Sequence, residues 1–218
     1  MKKELIFLGP PACGKGTQTD MLAKELNLPH VDTGSLLRAE IKKQTPDGIL
    51  ADSFISKGQL VPVELVASII GTKLASDECK NGYILDGYPR SLEQADKLKE
   101  IREKINANEK TDFRAIYFDI EEDLLISRIV NRRSCPKCGR IYNVKYHPPK
   151  IAGVCDDCNV ELVQRADDTE KIARQRFDTY FAQTAPLIEH YEKQGELKPI
   201  NANGTIKEVW ERLLEAIK

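Results

Sequence analysis

The sequence has no run of 18 or more apolar residues, so it offers no helix able to span a bilayer. It has no charge of one sign to spare. Its 33 Lys and Arg stand against 34 Asp and Glu, a net charge of −1. That balance excludes a global pull toward nucleic acid or an anionic membrane, so any anion site must be built by local clustering of arginines. It has no internal repeat and no low-complexity tract. After Met1-Lys2-Lys3-Glu4 the apolar run is soon broken by Gly9 and Pro10, too short for the core of a signal peptide. The expectation is a cytoplasmic protein with no membrane and no nucleic-acid partner. In that setting six cysteines argue for metal or redox chemistry before structural disulfides.

What is there suits one α/β core with insertions. The chain has 218 residues, 41% hydrophobic and 31% charged, enough apolar material for a sizeable core. Short apolar strands are expected at Leu5–Leu8, Tyr83–Leu85, Ala115–Phe118 and Leu197–Ile200. Helical spacing is expected over Thr17–Leu26, Glu64–Leu74, Leu92–Ile105, Leu124–Arg132 and Glu208–Ile217. Strands alternating with helices imply a parallel sheet with helices on both faces. Two segments break the rhythm. Asp32–Val61 is polar and helical, with Pro46-Asp47-Gly48 read as a turn; Ser134–Asp168 is rich in Cys, Pro, Gly and Asp. Both read as lobes mounted on the core, an arrangement suited to an enzyme that closes over its substrates and excludes water.

Residues 9–17 read Gly9-Pro10-Pro11-Ala12-Cys13-Gly14-Lys15-Gly16-Thr17, between an apolar strand and a helix. This is the context of a phosphate loop. Small residues let the backbone wrap a phosphate, N–H groups point inward, and the helix N-terminus adds positive potential. Lys15 would hold the β- and γ-phosphates. A dinucleotide fingerprint is excluded, because Thr19 stands where its third glycine belongs. The bland alternative is a glycine-rich turn that binds nothing.

Cys135-Pro136-Lys137-Cys138 and Cys155-Asp156-Asp157-Cys158 form two Cys-x2-Cys knuckles, the spacing of a four-thiolate zinc site. With no open position the metal would be structural, ordering a segment too poor in apolar residues to order itself. A metal-free quartet or a disulfide pair is the alternative; His147 reads as a loop residue. Of the two remaining cysteines, Cys79 reads as a small filler. Cys13 lies beside Lys15 in the phosphate loop, where its alkylation is expected to block donor binding.

The Gly14-Lys15-Gly16-Thr17 loop resembles that of the adenylate kinases, and the resemblance extends over essentially the whole chain. Four further blocks carry it, in the family's order: Asp32-Thr33-Gly34-Ser35-Leu36-Leu37-Arg38; Leu85-Asp86-Gly87-Tyr88-Pro89-Arg90 with Gln94; Arg128-Ile129-Val130-Asn131-Arg132-Arg133; and Gln164-Arg165-Ala166-Asp167-Asp168 with Arg176. The resemblance implies a P-loop core over residues 1–31, 62–130 and 169–218, a helical monophosphate-binding insertion over 32–61, and a zinc-stapled lid over 131–168. It implies transfer of the terminal phosphoryl group of ATP to AMP, giving two ADP, with Mg2+ accompanying the nucleotide, in a monomer.

The same resemblance places the donor against Ala12, Cys13, Gly14, Lys15, Gly16, Thr17, Arg128, Arg132, Ile141, Tyr142 and Ile206. It places AMP against Thr33, Arg38, Gln59, Leu60, Val61, Gly87, Tyr88, Pro89, Arg90, Gln94, Arg165 and Arg176. The catalytic group is then Lys15, Arg90, Arg132, Arg165 and Arg176, with Asp167 and Asp168 anchoring arginines and Asp86 orienting magnesium-bound water beside Thr17. The Gln94 amide, donor and acceptor at once, would read adenine. The chain departs from the family where Ala12 replaces a usual Gly, harmless if φ stays negative there, and where Ser35 replaces a usual Asp.

Two other readings compete. A related kinase with another donor or acceptor differs only in base contacts. A zinc-ribbon nucleic-acid module on an inactive core needs a basic stripe at the knuckles, whereas Asp156, Asp157 and Glu161 mix there with Lys137, Arg140, Lys145 and Lys150.

Overall fold

The computed structural model describes residues 1–107, 109–121 and 125–218. Five parallel strands form the central sheet: β1 (Lys2–Leu8), β2 (His30–Asp32), β3 (Gly82–Asp86), β4 (Thr111–Asp119) and, late in the chain, Leu197–Asn201, which is β7. Their spatial order is β2-β3-β1-β4-β7. The four expected strands are present, each extended by one or more residues. β2 was not anticipated, since three residues with only Val31 buried carry almost no periodic signal.

The parallel sheet is covered on both sides, and β1 shows why. Leu5 and Phe7 point into a core with Leu22, Ile84, Ile116, Val209 and Leu213. Ile6 and Leu8 point the other way, toward Val66, Ile70, Leu85, Leu98 and Leu187. The first face is covered by α1 (Lys15–Leu26) and the last helix, α9 (Ile206–Ala216). The second is covered by α4 (Val63–Leu74), α5 (Leu92–Asn106) and α8 (Pro186–Lys193). A strand buried on both faces must be continuously apolar, which is how Leu5–Leu8 reads. Each such side chain contributes about 1.5–3 kcal/mol by leaving water.

Between β2 and α4 the chain forms a helical hairpin, α2 (Thr33–Lys42) and α3 (Pro46–Ile55). Pro46-Asp47-Gly48 is not a turn; it opens α3. The Thr45 hydroxyl accepts from the Gly48 N–H at 3.0 Å, and Pro46 takes the first helical position, where it forfeits no hydrogen bond. The turn falls one step earlier, at Gln44 with φ +55°.

After β4, α6 (Leu125–Val130) leads into β5 (Arg132–Ser134), which pairs antiparallel with β6 (Ile141–Asn143). The helix expected over Leu124–Arg132 therefore stops at Val130, and Arg132 belongs to a strand; Leu124 lies outside the described residues. This lobe has its own small core of Cys135, Tyr142, Cys155 and Leu162. The chain returns through α7 (Glu170–Thr179) and a single wide helical turn, Tyr180–Thr184, to α8, with Pro186 at its start. Among the described residues no helix is long and apolar enough to cross a membrane.

Gly48 marks how closely α2 and α3 meet: a Cβ there would overlap the Glu40 carbonyl. Overpacking of this kind costs about 1–3 kcal/mol. Gly48→Ala is therefore expected to lower the midpoint of chemical denaturation, and an unchanged midpoint would show that the two helices do not meet through backbone.

Candidate active site

In an open parallel sheet the crevice lies beyond the carboxyl ends of the strands, where the strand order reverses. Here that point is beside β1, and a cleft of about 1190 Å³ opens there. This exceeds the roughly 300–1,000 Å³ usual for one small ligand. It is lined from the sheet, from the α2–α3 hairpin and from the cysteine-bearing lobe.

The phosphate loop forms its floor. Gly9 has φ +146°, and a Cβ there would press against the Phe118 carbonyl and Cys13 Sγ at 3.0 Å each. Gly14, at φ +102°, precedes α1 without a side-chain cap, which leaves the first N–H groups of the helix as free donors for an anion. Ala12 also takes positive φ, +64°, so the condition under which an alanine is harmless here is not met. The loop turns inward at this residue, and an L side chain in the left-handed region costs about 1–2 kcal/mol. Lys15 Nζ donates to the carbonyls of Gly9 at 2.6 Å and Pro10 at 2.9 Å. Cys13 Sγ lies 3.3 Å from it, but the thiol is 3% exposed and packs into the core beneath the loop.

Two acidic strand ends face this floor. Asp86 ends β3, buried, its Oδ2 lying 3.7 Å from where a Cβ on Gly16 would stand. Burial pushes its carboxyl up and the like charge of Asp32 adds to this, against Lys15, His30 and Arg90. Asp32 ends β2 and caps α2, accepting from the Gly34 and Ser35 N–H groups at 3.0 Å each, from the Ser35 hydroxyl, and from Arg38 at 3.2 Å. Burial works against its charge, but Arg38 and Ser35 more than offset this and hold it below the usual range. Ser35, where the family usually carries Asp, thus serves Asp32 and Arg38, whose Nη2 also donates to its hydroxyl at 3.1 Å.

His30 sits between these acids and α1. Its Nδ1 lies 2.8 Å from Asp20 Oδ1, and its Nε2, otherwise without a hydrogen-bond partner, lies 3.8 Å from Asp86 Oδ2. Burial opposes charging the ring. The Asp20 hydrogen bond and the charges of Asp86, Asp20 and Asp32 outweigh it, and the pKa rises above 6.5.

The arginines converge from every side. Arg90, after the cis Tyr88–Pro89 bond, donates to the Gly87 carbonyl at 2.8 Å, and its own carbonyl accepts from the Thr184 hydroxyl at 2.8 Å. Arg132 binds both oxygens of Asp168, with Nε to Oδ2 at 2.9 Å. Arg176 donates to Asp167 at 3.1 Å and lies 3.7 Å from Asp168. Asp168 is 0% exposed, a buried carboxylate held by two guanidiniums. Burial, then repulsion from Arg132, lowers Arg165 and Arg176 to about 10 each, still cationic at neutral pH. Burial likewise lowers Arg90, whereas the Asp168 hydrogen bond overcomes burial and raises Arg132.

All the expected donor residues line the cleft: Ala12, Cys13, Gly14, Lys15, Gly16, Thr17, Arg128, Arg132, Ile141, Tyr142 and Ile206. Besides Lys15 and Arg132, two more are already engaged. The Ile206 carbonyl accepts from Gln18 Nε2 at 2.9 Å, and the Tyr142 side chain is buried in its lobe. Of the acceptor residues, Arg38, Leu60, Gly87, Pro89, Arg90, Arg165 and Arg176 line the wall. Thr33, Val61, Tyr88 and Gln94 are buried behind it, and Gln59 is exposed at its rim. The Gln94 oxygen accepts from the Arg90 N–H at 2.7 Å, so the amide braces Arg90.

The sulfurs of Cys135, Cys138, Cys155 and Cys158 all lie within 4.8 Å of one another, and none forms a disulfide. A tetrahedron with metal–sulfur bonds of about 2.3 Å has edges of about 3.8 Å, and Cys138 Sγ and Cys155 Sγ are 3.8 Å apart. The donor set fits a metal that prefers four thiolates. His147 instead stacks on Tyr142, ring centroids 6.4 Å apart.

Sequence reasoning gave His30 no part in the site. The available signal was its place two residues before Asp32, but β2 itself had not been recognised. The work of Asp32 in holding Arg38 was missed for the same reason.

The adenylate kinase family model matches residues 7–196. The chain is 41% identical to an adenylate kinase of Clostridium kluyveri over 214 residues, covering 98% of this chain and 97% of that one. It is 42% identical to one of Clostridium botulinum, covering 94% of each, and 42% identical to one of Geobacter sulfurreducens, covering 98% and 97%.

The His30 contacts predict a pH effect. A group whose pKa is raised by folding contributes stability that is fully present below its unfolded value, 6.5, and lost as pH rises through the folded one. His30→Gln should therefore destabilise more at about pH 5.5 than at about pH 8.5 in paired denaturation curves. An equal deficit at both pH values would remove the charged ring from this account.

Proposed function

The chain belongs to the adenylate kinase family, and we propose for the residues of its cleft the following places in the transfer of the terminal phosphoryl group of ATP to AMP. The observation that carries the assignment is the convergence of Arg90, Arg132, Arg165 and Arg176 on the cleft above Lys15.

The donor triphosphate lies on the N–H groups of residues 12–17, with Lys15 leaving its loop carbonyls for the β- and γ-oxygens. Its base lies between Arg128 and the start of α9. AMP lies against the α2–α3 hairpin and residues 87–90, its phosphate met by Arg38 and Arg90. Phosphoryl transfer asks little covalent chemistry of the protein and much positioning and charge stabilisation. Planar guanidiniums supply both, since they meet phosphate oxygens in pairs. Arg132, Arg165 and Arg176 serve the transferring group, and Asp167 and Asp168 keep them aimed. No general base is required, because the acceptor is already an ionised phosphate. The product is two ADP.

Thr17 would hold the Mg2+ that accompanies the nucleotide, with Asp86 orienting water bound to it, and the ion would neutralise phosphate charge. The four cysteines would hold zinc, which supplies a closed structural cross-link. We further propose that residues 32–61 and 131–168 move as lobes over the core of residues 1–31, 62–130 and 169–218. Such closure excludes water and prevents hydrolysis; adenylate kinase lids are themselves a standing example of it. A monomer is the proposed working unit. Reduced cysteines poised for metal suit the cytoplasm.

A coupled assay of ADP formation with magnesium, crossing ATP and GTP against AMP, UMP, CMP and GMP, tests the reading. ATP with AMP is expected to dominate; dominance of another pair would overturn the base assignments. Arg90→Ala is expected to lower kcat at least about 100-fold with the fold retained, and near-normal turnover would remove its role. Chelation, or Cys155→Ser, is expected to lower the melting temperature, and equal melting with and without chelator would remove the zinc staple.

A further inference from the structure

The first two residues of β6 face opposite ways. Ile141 reaches the phosphate loop, its Cδ1 lying 3.5 Å from where a Cβ on Gly16 would stand. Tyr142 turns into the lobe and is 1% exposed. Its ring lies under the Arg140 guanidinium at 5.1 Å. Its hydroxyl meets two groups of the second knuckle: the Asp156 N–H at 2.9 Å and Cys155 Sγ at 3.5 Å. The Asp156 amide can only donate, so the phenol oxygen accepts there. The single hydroxyl proton is left for the sulfur.

We infer that Tyr142 is a positioning residue of the cysteine centre, its hydroxyl donating to Cys155 Sγ and so fixing that thiolate as a metal ligand. The inference rests on the reading that the quartet holds a metal. A buried tyrosine usually finds some partner for its hydroxyl. Here the partner is a ligand atom, and the amide that completes the hydroxyl's bonding belongs to the residue after that ligand. The first knuckle is ordered by its own backbone, with the Cys138 N–H donating to Cys135 Sγ at 3.5 Å. The second knuckle turns likewise, with the Asn159 N–H donating to the Cys155 carbonyl at 3.0 Å. Tyr142 adds the donor that comes from a different strand, and it thereby joins the second knuckle to the strand that lies over the phosphate loop. Groups in this outer position orient metal ligands, and their loss typically lowers metal affinity about 10- to 100-fold.

The test is titration of the full chain, stripped of metal, with Co2+ and then with competing Zn2+, following the thiolate-to-cobalt charge-transfer band. Wild type is compared with Tyr142→Phe and with Tyr146→Phe, whose lost hydroxyl lies near Ser127 and not near the quartet. Tyr142→Phe is expected to keep a four-thiolate spectrum, to move the band to lower energy, because the sulfur has lost a donor, and to bind zinc about 10- to 100-fold more weakly. Tyr146→Phe is expected to match wild type. Wild-type affinity and band position in Tyr142→Phe would overturn the assignment while leaving the metal site intact. Failure of the wild type itself to bind either ion would overturn the metal reading and this inference with it. Wild type made with 3-fluorotyrosine, a stronger donor of nearly the same size, provides a test that needs no truncated variant. Its band is expected to move to higher energy, and an unmoved band would count against the hydroxyl.

Discussion

The structure depends on keeping several guanidiniums in one cleft before any phosphate is present. Arg38, Arg90, Arg132, Arg165 and Arg176 repel one another, and burial strips them of water that would screen the repulsion. The chain answers with carboxylates placed behind the arginines. Asp168, fully buried, takes the Nε–Nη2 edge of Arg132 with both its oxygens and lies within reach of Arg176; Asp167 accepts from Arg176 Nη1; Asp32 accepts from Arg38. Removing one partner of such a buried set leaves the other charge uncompensated, so the set stands or falls together. Three carboxylates thus offset part of the charge of five arginines, which leaves the cleft cationic in a chain that is nearly neutral as a whole.

The fold brings these groups together by topology. β1, β2 and β3 end at one edge of the sheet, and their last residues deliver the phosphate loop, Asp32 and Asp86 within reach of one another. The cysteine-bearing lobe delivers Arg132 and Arg165 from above through a short stem, where Ser134 and Val163 pair their backbones. Gln164 Nε2 ties that stem to the carbonyls of Val130 and Asp168. The cysteine quartet of the lobe and the arginines at its base are therefore joined through one short stem.

Much of this was legible in the chain. The unbroken run Leu5–Leu8 gave a doubly buried strand, the Gly-rich stretch after it gave the phosphate loop, and the Cys-x2-Cys spacing gave the quartet. What was not legible shares a physical cause: it rests on contacts between distant residues or on single backbone angles. His30–Asp32 is too short to show a period, and its strand character comes from pairing with β3. The φ of Ala12 is set by the loop closing on itself. The Gln94 oxygen is taken by the Arg90 backbone, and the Tyr142 hydroxyl by Cys155 and Asp156, neither of which spacing reveals. Pro46 is the exception. Thr45-Pro46 is a readable helix start, and it was passed over for the commoner turn reading of Pro-Asp-Gly.

The central claim is that these arginines act as planar, paired donors to phosphate and not merely as positive charges. Arg176→Lys keeps the charge and loses the fork. Its kcat, measured under saturating ATP and AMP in protein whose melting temperature matches wild type, is predicted to fall at least about 100-fold. A kcat within a few-fold of wild type would contradict the account.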